Sequence, residues 1–231
     1  MSWVSIIPVR AGSKGVRNKN TRCIFGKPLY QYTVDFALKA GAKKIYITTD
    51  IKEILISDPK EKIILTERDR KLCTDDSIMS DVLLNFLTSF EGSKIEDDQT
   101  IVLLQATSPL RKKKDLLKAL QLFEKSSKTD LMLSVTRAEN HVLKYGYVIE
   151  GNFKHISDPH LCFQNRQNLP KLFKPTGSFY IFKAGWYRQN KSLATNATKA
   201  YEIPNYLSLD IDSLDDFAKF EAILKEKGTV K

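Results

Sequence analysis

Short apolar runs alternate along this chain with stretches of helical periodicity, and that alternation restricts its folding more than any other feature. Residues 4–7, 44–49, 63–65, 100–104 and 131–135 read as buried strands. Leu29–Ala40 carries Leu29, Tyr32, Thr33, Phe36, Ala37 and Ala40 at helical spacing, with Gly41 where a helix would stop. Residues 77–90, 114–125 and 214–225 show the same period, the first with Ile78, Val82, Leu83, Phe86, Leu87 and Phe90 expected inward. This order predicts an α/β fold, a mostly parallel sheet covered by helices on both faces. The 231 residues fit a single domain of that kind, 1–231.

Ligands of such sheets sit beyond the carboxyl ends of the strands, and polar clusters fall at those ends. After the first strand comes Pro8-Val9-Arg10-Ala11-Gly12-Ser13-Lys14-Gly15, continuing to Lys19-Asn20. The glycines and serine let backbone N–H groups turn inward, and Arg10, Lys14, Arg17 and Lys19 add positive charge. That combination suits a polyphosphate. The spacing matches neither G-x-x-x-x-G-K-[ST] nor G-x-G-x-x-G. Asp50 follows a second strand, and Arg68 lies in a loop where it could meet a phosphate or a nucleotide. Gln105-Ala106-Thr107-Ser108-Pro109-Leu110-Arg111 puts hydroxyls, an amide and a guanidinium into one turn, with Ser108 held extended by Pro109. Asp210-Ile211-Asp212 places two carboxylates on one side of an extended segment. Such a pair suits Mg²⁺, which takes oxygen ligands and keeps waters. Asp212 or Ser213 also reads as the N-cap of the following helix, so Asp212 is shared between the two roles. Thr74-Asp75-Asp76-Ser77 reads either as a second acidic site or as a cap.

Residues 136–176 break the rhythm. The apolar run at 145–149, followed by Glu150-Gly151-Asn152, looks like one arm of a hairpin. The stretch reads as a small dimerisation insertion that leaves the sheet, with residues 178–182 rejoining it as a strand. Cys23, Cys73 and Cys162 are odd in number and far apart, so neither a disulfide framework nor a zinc site is expected, and they read as buried or half-buried thiols. His141, His155 and His160 lack companion carboxylates at ligand spacing. A net charge of +10 favours anionic ligands. Its lysines are scattered, and no helix has a basic stripe, so nucleic acid is not an expected partner. The rival reading, a non-catalytic nucleic-acid-binding protein, conflicts with paired carboxylates at a strand end. No apolar run approaches the roughly 20 residues of a membrane span. Without a leader-like N-terminus, a cytoplasmic location is expected.

These motifs together resemble the acylneuraminate cytidylyltransferase family, the CMP-sialic acid synthetases, nearly end to end. The resemblance rests on Ile7–Gly15 with Lys19-Asn20, on Leu103–Arg111, and on Gln164-Asn165-Arg166-Gln167-Asn168-Leu169-Pro170. Gly177-Ser178-Phe179-Tyr180-Ile181 and Asp210-Ile211-Asp212 complete it. It implies a three-layer α/β/α, Rossmann-like nucleotidyltransferase fold. It implies transfer of CMP from CTP to the anomeric hydroxyl of a nonulosonic acid, with release of pyrophosphate. By the same resemblance Arg10, Ala11, Gly12, Ser13, Lys14, Lys19, Asn20 and Arg68 hold CTP, with Lys19 steadying the pyrophosphate. Asp210 and Asp212 hold Mg²⁺, and Asp210 orients or deprotonates the attacking hydroxyl, so Arg10, Lys19 and Asp210 are the catalytic set. Gln105, Ser108 and Tyr180 contact the sugar, and Lys144 and Arg166 reach its carboxylate from the partner subunit of a homodimer. Ala106 stands where the family has Pro, Thr176 where it has Asn, and Lys174 where Arg is frequent. These changes cluster near the sugar-binding segments, which opens legionaminic or pseudaminic acid as the substrate. A Kdo-type acid is the nearest competitor.

Overall fold

One seven-stranded sheet organises the chain in the computed structural model, which describes residues 2–13 and 15–226. In chain order the elements begin with β1 (Trp3–Val9), the small hairpin β2 (Cys23–Ile24) and β3 (Lys27–Pro28), and α1 (Leu29–Ala40). There follow β4 (Ile45–Thr49), the single turn α2 (Lys52–Leu55) and β5 (Ile63–Glu67). Next come α3 (Met79–Thr88), the single turn α4 (Phe90–Ser93), β6 (Thr100–Leu103) and α5 (Lys113–Glu124). The remainder is β7 (Leu131–Ala138), β8 (Gly146–Ile149), β9 (Asn152–His155), β10 (Leu172–Lys183), α6 (Ala184–Asn190), β11 (Thr198–Glu202) and α7 (Leu214–Glu226). The main sheet runs β11-β7-β10-β6-β1-β4-β5, and only β10 is antiparallel to its neighbours.

The strands are apolar on both faces because both are covered. Ile7, Val9, Ile45, Ile47, Val102 and Ile181 pack with Val34 and Ala37 of α1 and Leu116, Leu120 and Phe123 of α5. The intervening Val4, Ile6, Tyr46, Ile101, Leu103 and Phe182 pack with Leu83, Phe86 and Leu87 of α3 and Tyr187 of α6. Period-two alternation of the strand side chains thus separates two cores. A third cluster joins Phe217, Phe220 and Leu224 of α7 to Val16, Ile24, Leu29, Leu110 and Ile211. Burying Val16 and Ile211 there, at about 1.5–3 kcal/mol each, draws the loop after β1 and the segment before α7 together.

Helix α1 has the expected bounds. Pro28 precedes it, and Gly41 closes it in the left-handed region at φ 96°. Helix α3 is shorter than its apolar pattern: Ile78 and Phe90 lie outside it and are exposed, contrary to the expected inward placement. Strand β10 begins at Leu172 rather than 178, and β7 runs on to Ala138, paired with it. The part outside the main sheet is therefore 139–171. It carries the expected hairpin, β8 with β9, turned by Glu150 and Gly151, both at positive φ. Cys23 is exposed, not half-buried.

Candidate active site

The polar clusters meet in one cleft of about 240 Å³ at the carboxyl ends of β1, β5 and β6. Arg10, Gly12, Ser13, Lys19, Asn20, Arg68, Gln105 and Asp210 line it, as expected from sequence, and Pro8, Met79, Ala106 and Thr107 complete it. Lys14 lies outside the described residues.

The loop after β1 is held by its own polar groups. The N–H of Ala11 donates to Asp50 Oδ1 at 2.8 Å, so Asp50 anchors the loop instead of facing the cleft. Asn20 Nδ2 donates to the Arg10 carbonyl at 2.9 Å. A Cβ on Gly15 would sit 2.4 Å from the Asp212 carbonyl, so the loop approaches that segment as closely as only glycine permits. Across this contact Lys19 Nζ donates to Asp212 Oδ1 at 2.7 Å. Arg10 pairs with Asp75, which places Asp75 beside the cleft, and α3 starts without a side-chain cap, so the expected cap is not built. Sequence reasoning read Asp75 locally, and no signal linked residues 65 positions apart.

Arg68 is 4% exposed, and its guanidinium donates to the Thr48 carbonyl at 3.0 Å. Burial draws its pKa below the usual arginine range, partly offset by Cys73 and Asp50. Its Nε has no partner, and neither does Oδ1 of the buried Asn20. Both atoms lie beneath the cleft surface, where solvent does not reach them.

On the opposite wall, the Ile211 N–H donates to the Thr107 carbonyl at 2.8 Å. That bond and the burial of Ile211 hold Asp210 and Asp212 exposed, on the side away from the core. Asp210 lines the cleft directly, and Asp212 reaches it through Lys19. Asp212 is not the helix cap. Ser213 Oγ accepts from the Asp216 N–H at 3.3 Å, and Asp216 accepts from the Ser213 N–H at 3.0 Å, a reciprocal box that starts α7. Those donors, the Ser213 hydroxyl foremost, bring the Asp216 carboxyl down to about 2.

Ser108 is buried. Its hydroxyl is within 3.2 Å of the Thr176 carbonyl and 3.5 Å of Asp210 Oδ1, so it supports the wall from behind. Tyr180 is partly buried. Burial raises its phenol pKa, Asp210 adds to the rise, and a hydrogen bond from the Gly177 backbone opposes it. Arg111, expected to offer its guanidinium to a ligand, turns it onto backbone carbonyls instead. Lys144 and Arg166 are not brought to the cleft within one chain: Lys144 donates to the Gln164 carbonyl, and Arg166 pairs with Glu139. Among the described residues no group of three or more His, Cys, Asp or Glu is arranged to hold a metal. Also among them, no helix is long and apolar enough to cross a membrane.

Comparison with known proteins agrees with this geometry. Residues 4–227 match the cytidylyltransferase family model. The chain is 33% identical to the N-acylneuraminate cytidylyltransferase of Streptococcus agalactiae serotype III over 94% of its own length, and spans 52% of that relative. It thus covers about half the length of the curated relatives it matches most strongly. It is 32% identical to the post-translational flagellin modification protein B of Campylobacter coli, covering 96% of this chain and 94% of that one. With the CMP-N,N'-diacetyllegionaminic acid synthase of Legionella pneumophila it shares 29% identity over 97% of each. In fold it is similar to a CMP:2-keto-3-deoxy-manno-octonic acid synthetase solved with CTP, at a TM-score of 0.69 and 17% identity, covering 98% of this chain and all of that one. With its cationic loop, its Asp-Ile-Asp wall and this full-length match, the chain belongs to the cytidylyltransferase family.

Proposed function

We propose that this cleft binds CTP and a nonulosonic, sialic-type acid and joins CMP to the anomeric hydroxyl of the acid, releasing pyrophosphate. The observation that carries this reading is one cleft that gathers Arg10, Lys19, Arg68 and Asn20 opposite the Asp210 carboxylate. Cytosine offers acceptors at O2 and N3 and a donor at its exocyclic amine. Uracil replaces that amine with a carbonyl, so a site that accepts from the amine discriminates the two bases. Arg10 and Lys19 then face the phosphates, and Lys19 steadies the departing pyrophosphate. Such a displacement needs positioning and charge neutralisation more than covalent participation by the protein.

On the sugar side, Gln105 contacts the acid directly, Tyr180 lines the pocket for its acyl groups, and Ser108 supports Asp210. Asp210 orients the anomeric hydroxyl and accepts its proton. Asp210 and Asp212 fit Mg²⁺: both are exposed, both offer hard oxygen donors, and among the described residues Asp210 has one long hydrogen bond, at 3.5 Å, while Asp212 pairs with Lys19. Bound there, Mg²⁺ supplies charge neutralisation at the phosphates.

The protein acts as a homodimer in the cytoplasm, where CTP is made. The excursion at 139–171 supplies the contact, since Tyr147, Val148, Ile149 and Phe153 of its hairpin are all exposed. Lys144 and Arg166 leave their local acceptors to grip the sugar carboxylate across the interface, Arg166 by a bidentate fork. Thr176 in place of Asn, together with a match over 97% of the legionaminic acid synthase against 52% of the N-acylneuraminate enzyme, favours a diamino acid such as legionaminic or pseudaminic acid, against the higher identity to the latter, 33% to 29%.

The deciding experiment is pyrophosphate release from CTP and Mg²⁺ against a panel of sialic, legionaminic, pseudaminic and Kdo acids. Release with one nonulosonic acid, and none with UTP, is the expected result. Release with Kdo alone, or equal use of UTP, overturns the reading.

A further inference from the structure

The described strand β10 is not regular where it passes the cleft. Its pairing with β7 shifts register between Pro175 and Tyr180. Gly177 sits in this bulge at φ +68°, and a Cβ there would lie 2.0 Å from Gln105 Oε1 and 2.7 Å from Ser108 Oγ. The bulge therefore forms the bed on which the Gln105 side chain rests. A bulge leaves ladder groups unpaired and needs other partners to keep its shape.

Arg111 provides them. Its Nε donates to the Ser178 carbonyl at 2.6 Å, one residue beyond Gly177. One terminal nitrogen donates to the Gln105 carbonyl at 2.5 Å, and the other to Thr33 Oγ1 of α1 at 2.9 Å. None of these acceptors is a carboxylate. Although part of the side chain reaches the surface, protein surrounds the guanidinium closely enough to bring its pKa down to about 9. Keeping a cation in such surroundings is costly; Asp210 offsets part of that cost through space, and the three hydrogen bonds offset more only while all three acceptors hold their places.

From this we infer that Arg111 is a positioning residue for the sugar-side wall: its planar fork locks the β10 bulge to the Gln105 turn and both to α1. The fork shape is the point, because a lysine in its place could keep the charge but could not reach three acceptors in fixed directions. The role rests on the proposed transfer to a sugar acid, but the geometry of the lock does not.

The test uses the full chain with Arg111→Lys and Arg111→Gln, read by amide hydrogen exchange and by steady-state kinetics. With thermal midpoints close to wild type, Arg111→Lys should speed exchange at the amides of Gly177, Ser178 and Phe179 by about tenfold, the loss of a net hydrogen bond or so. It should lower kcat/KM for the sugar acid by about a hundredfold, as a misplaced contact does, with KM for CTP about unchanged. A residue that merely stabilised the fold would shift both KM values and the midpoint together. Unchanged exchange at 177–179 in Arg111→Lys overturns the lock. A wild-type protein silent with every acid sinks the transfer reading, while the exchange data still decide the lock.

Discussion

The cleft and the excursion at 139–171 satisfy their polar groups in opposite ways. In the cleft, polar groups are fixed by partners far away in sequence: the Lys19 side chain by Asp212, the Arg10 side chain by Asp75, the Ala11 backbone N–H by Asp50. In the excursion, Lys144 and Arg166 are held by neighbours within the same stretch, and large apolar side chains stand in solvent, Phe163 at 87% and Val148 at 67% exposure. Long-range pairing makes a preorganised site. Local pairing beside exposed apolar surface makes a region that is complete only against something else. On the proposed reading, the nucleotide side of the reaction is built within one chain, and the carboxylate grip on the sugar is not.

The sharpest test of the first half is Asp210→Ala. It should cut pyrophosphate release by about a thousandfold, the scale of a lost catalytic base, while calorimetry finds CTP binding largely intact. Loss of folding would make Asp210 structural and blur the contrast. Next in size is Gly177→Ala. It forces a side chain into a positive-φ position against Gln105, and should cost about 1–3 kcal/mol of stability, visible as a lower urea midpoint, together with most of the activity. The second half is broken by Val148→Asp on the hairpin. That change should raise the dimer dissociation constant by about a hundredfold, on the scale of a lost interface hot spot, as measured by sedimentation. A dimer that survives it unchanged moves the interface elsewhere. The smallest effect belongs to the capping box of α7. Ser213→Ala should cost about 1 kcal/mol and a few degrees of thermal midpoint. Because Asp216 titrates at about 2 in the folded chain, below the ordinary carboxylate value, its contribution is present above that ordinary value. It fades as pH falls towards 2, and so should the difference between wild type and Asp216→Asn.

Much of this architecture was legible in the sequence wherever burial is periodic. Helix α1 was found to the residue because Gly41 closes its pattern, and the sheet class followed from the apolar runs. Strand β11 was missed because its exposed run, Thr198-Lys199-Ala200-Tyr201-Glu202, has no buried apolar face. The early start of β10 was hidden by Pro175, a residue that reads as a breaker but is tolerated next to a bulge. Ile78 and Phe90 fitted the period of α3 but lie beyond its ends, where tertiary contacts and not spacing decide. For the site, the motifs located the lining residues of the cleft well, since strand ends converge by topology. They could not reveal that Arg111 faces backbone, or that Asp75 meets Arg10, because those contacts exist only after the strands are ordered.

The place of β10 in the sheet also sets an order of assembly. Among the described residues, β7 and β11 join the rest of the sheet by hydrogen bonds only through β10, which lies between β7 and β6. On a ribosome, residues 3–138 can form strands, but the two halves cannot be stitched until synthesis reaches Lys183. Until then β6 and β7 each present an unpaired edge, the kind of surface that aggregates or engages chaperones. The β10 bulge beside Gln105 is thus among the last parts of the molecule to form, and chains interrupted before residue 172 would lack it entirely.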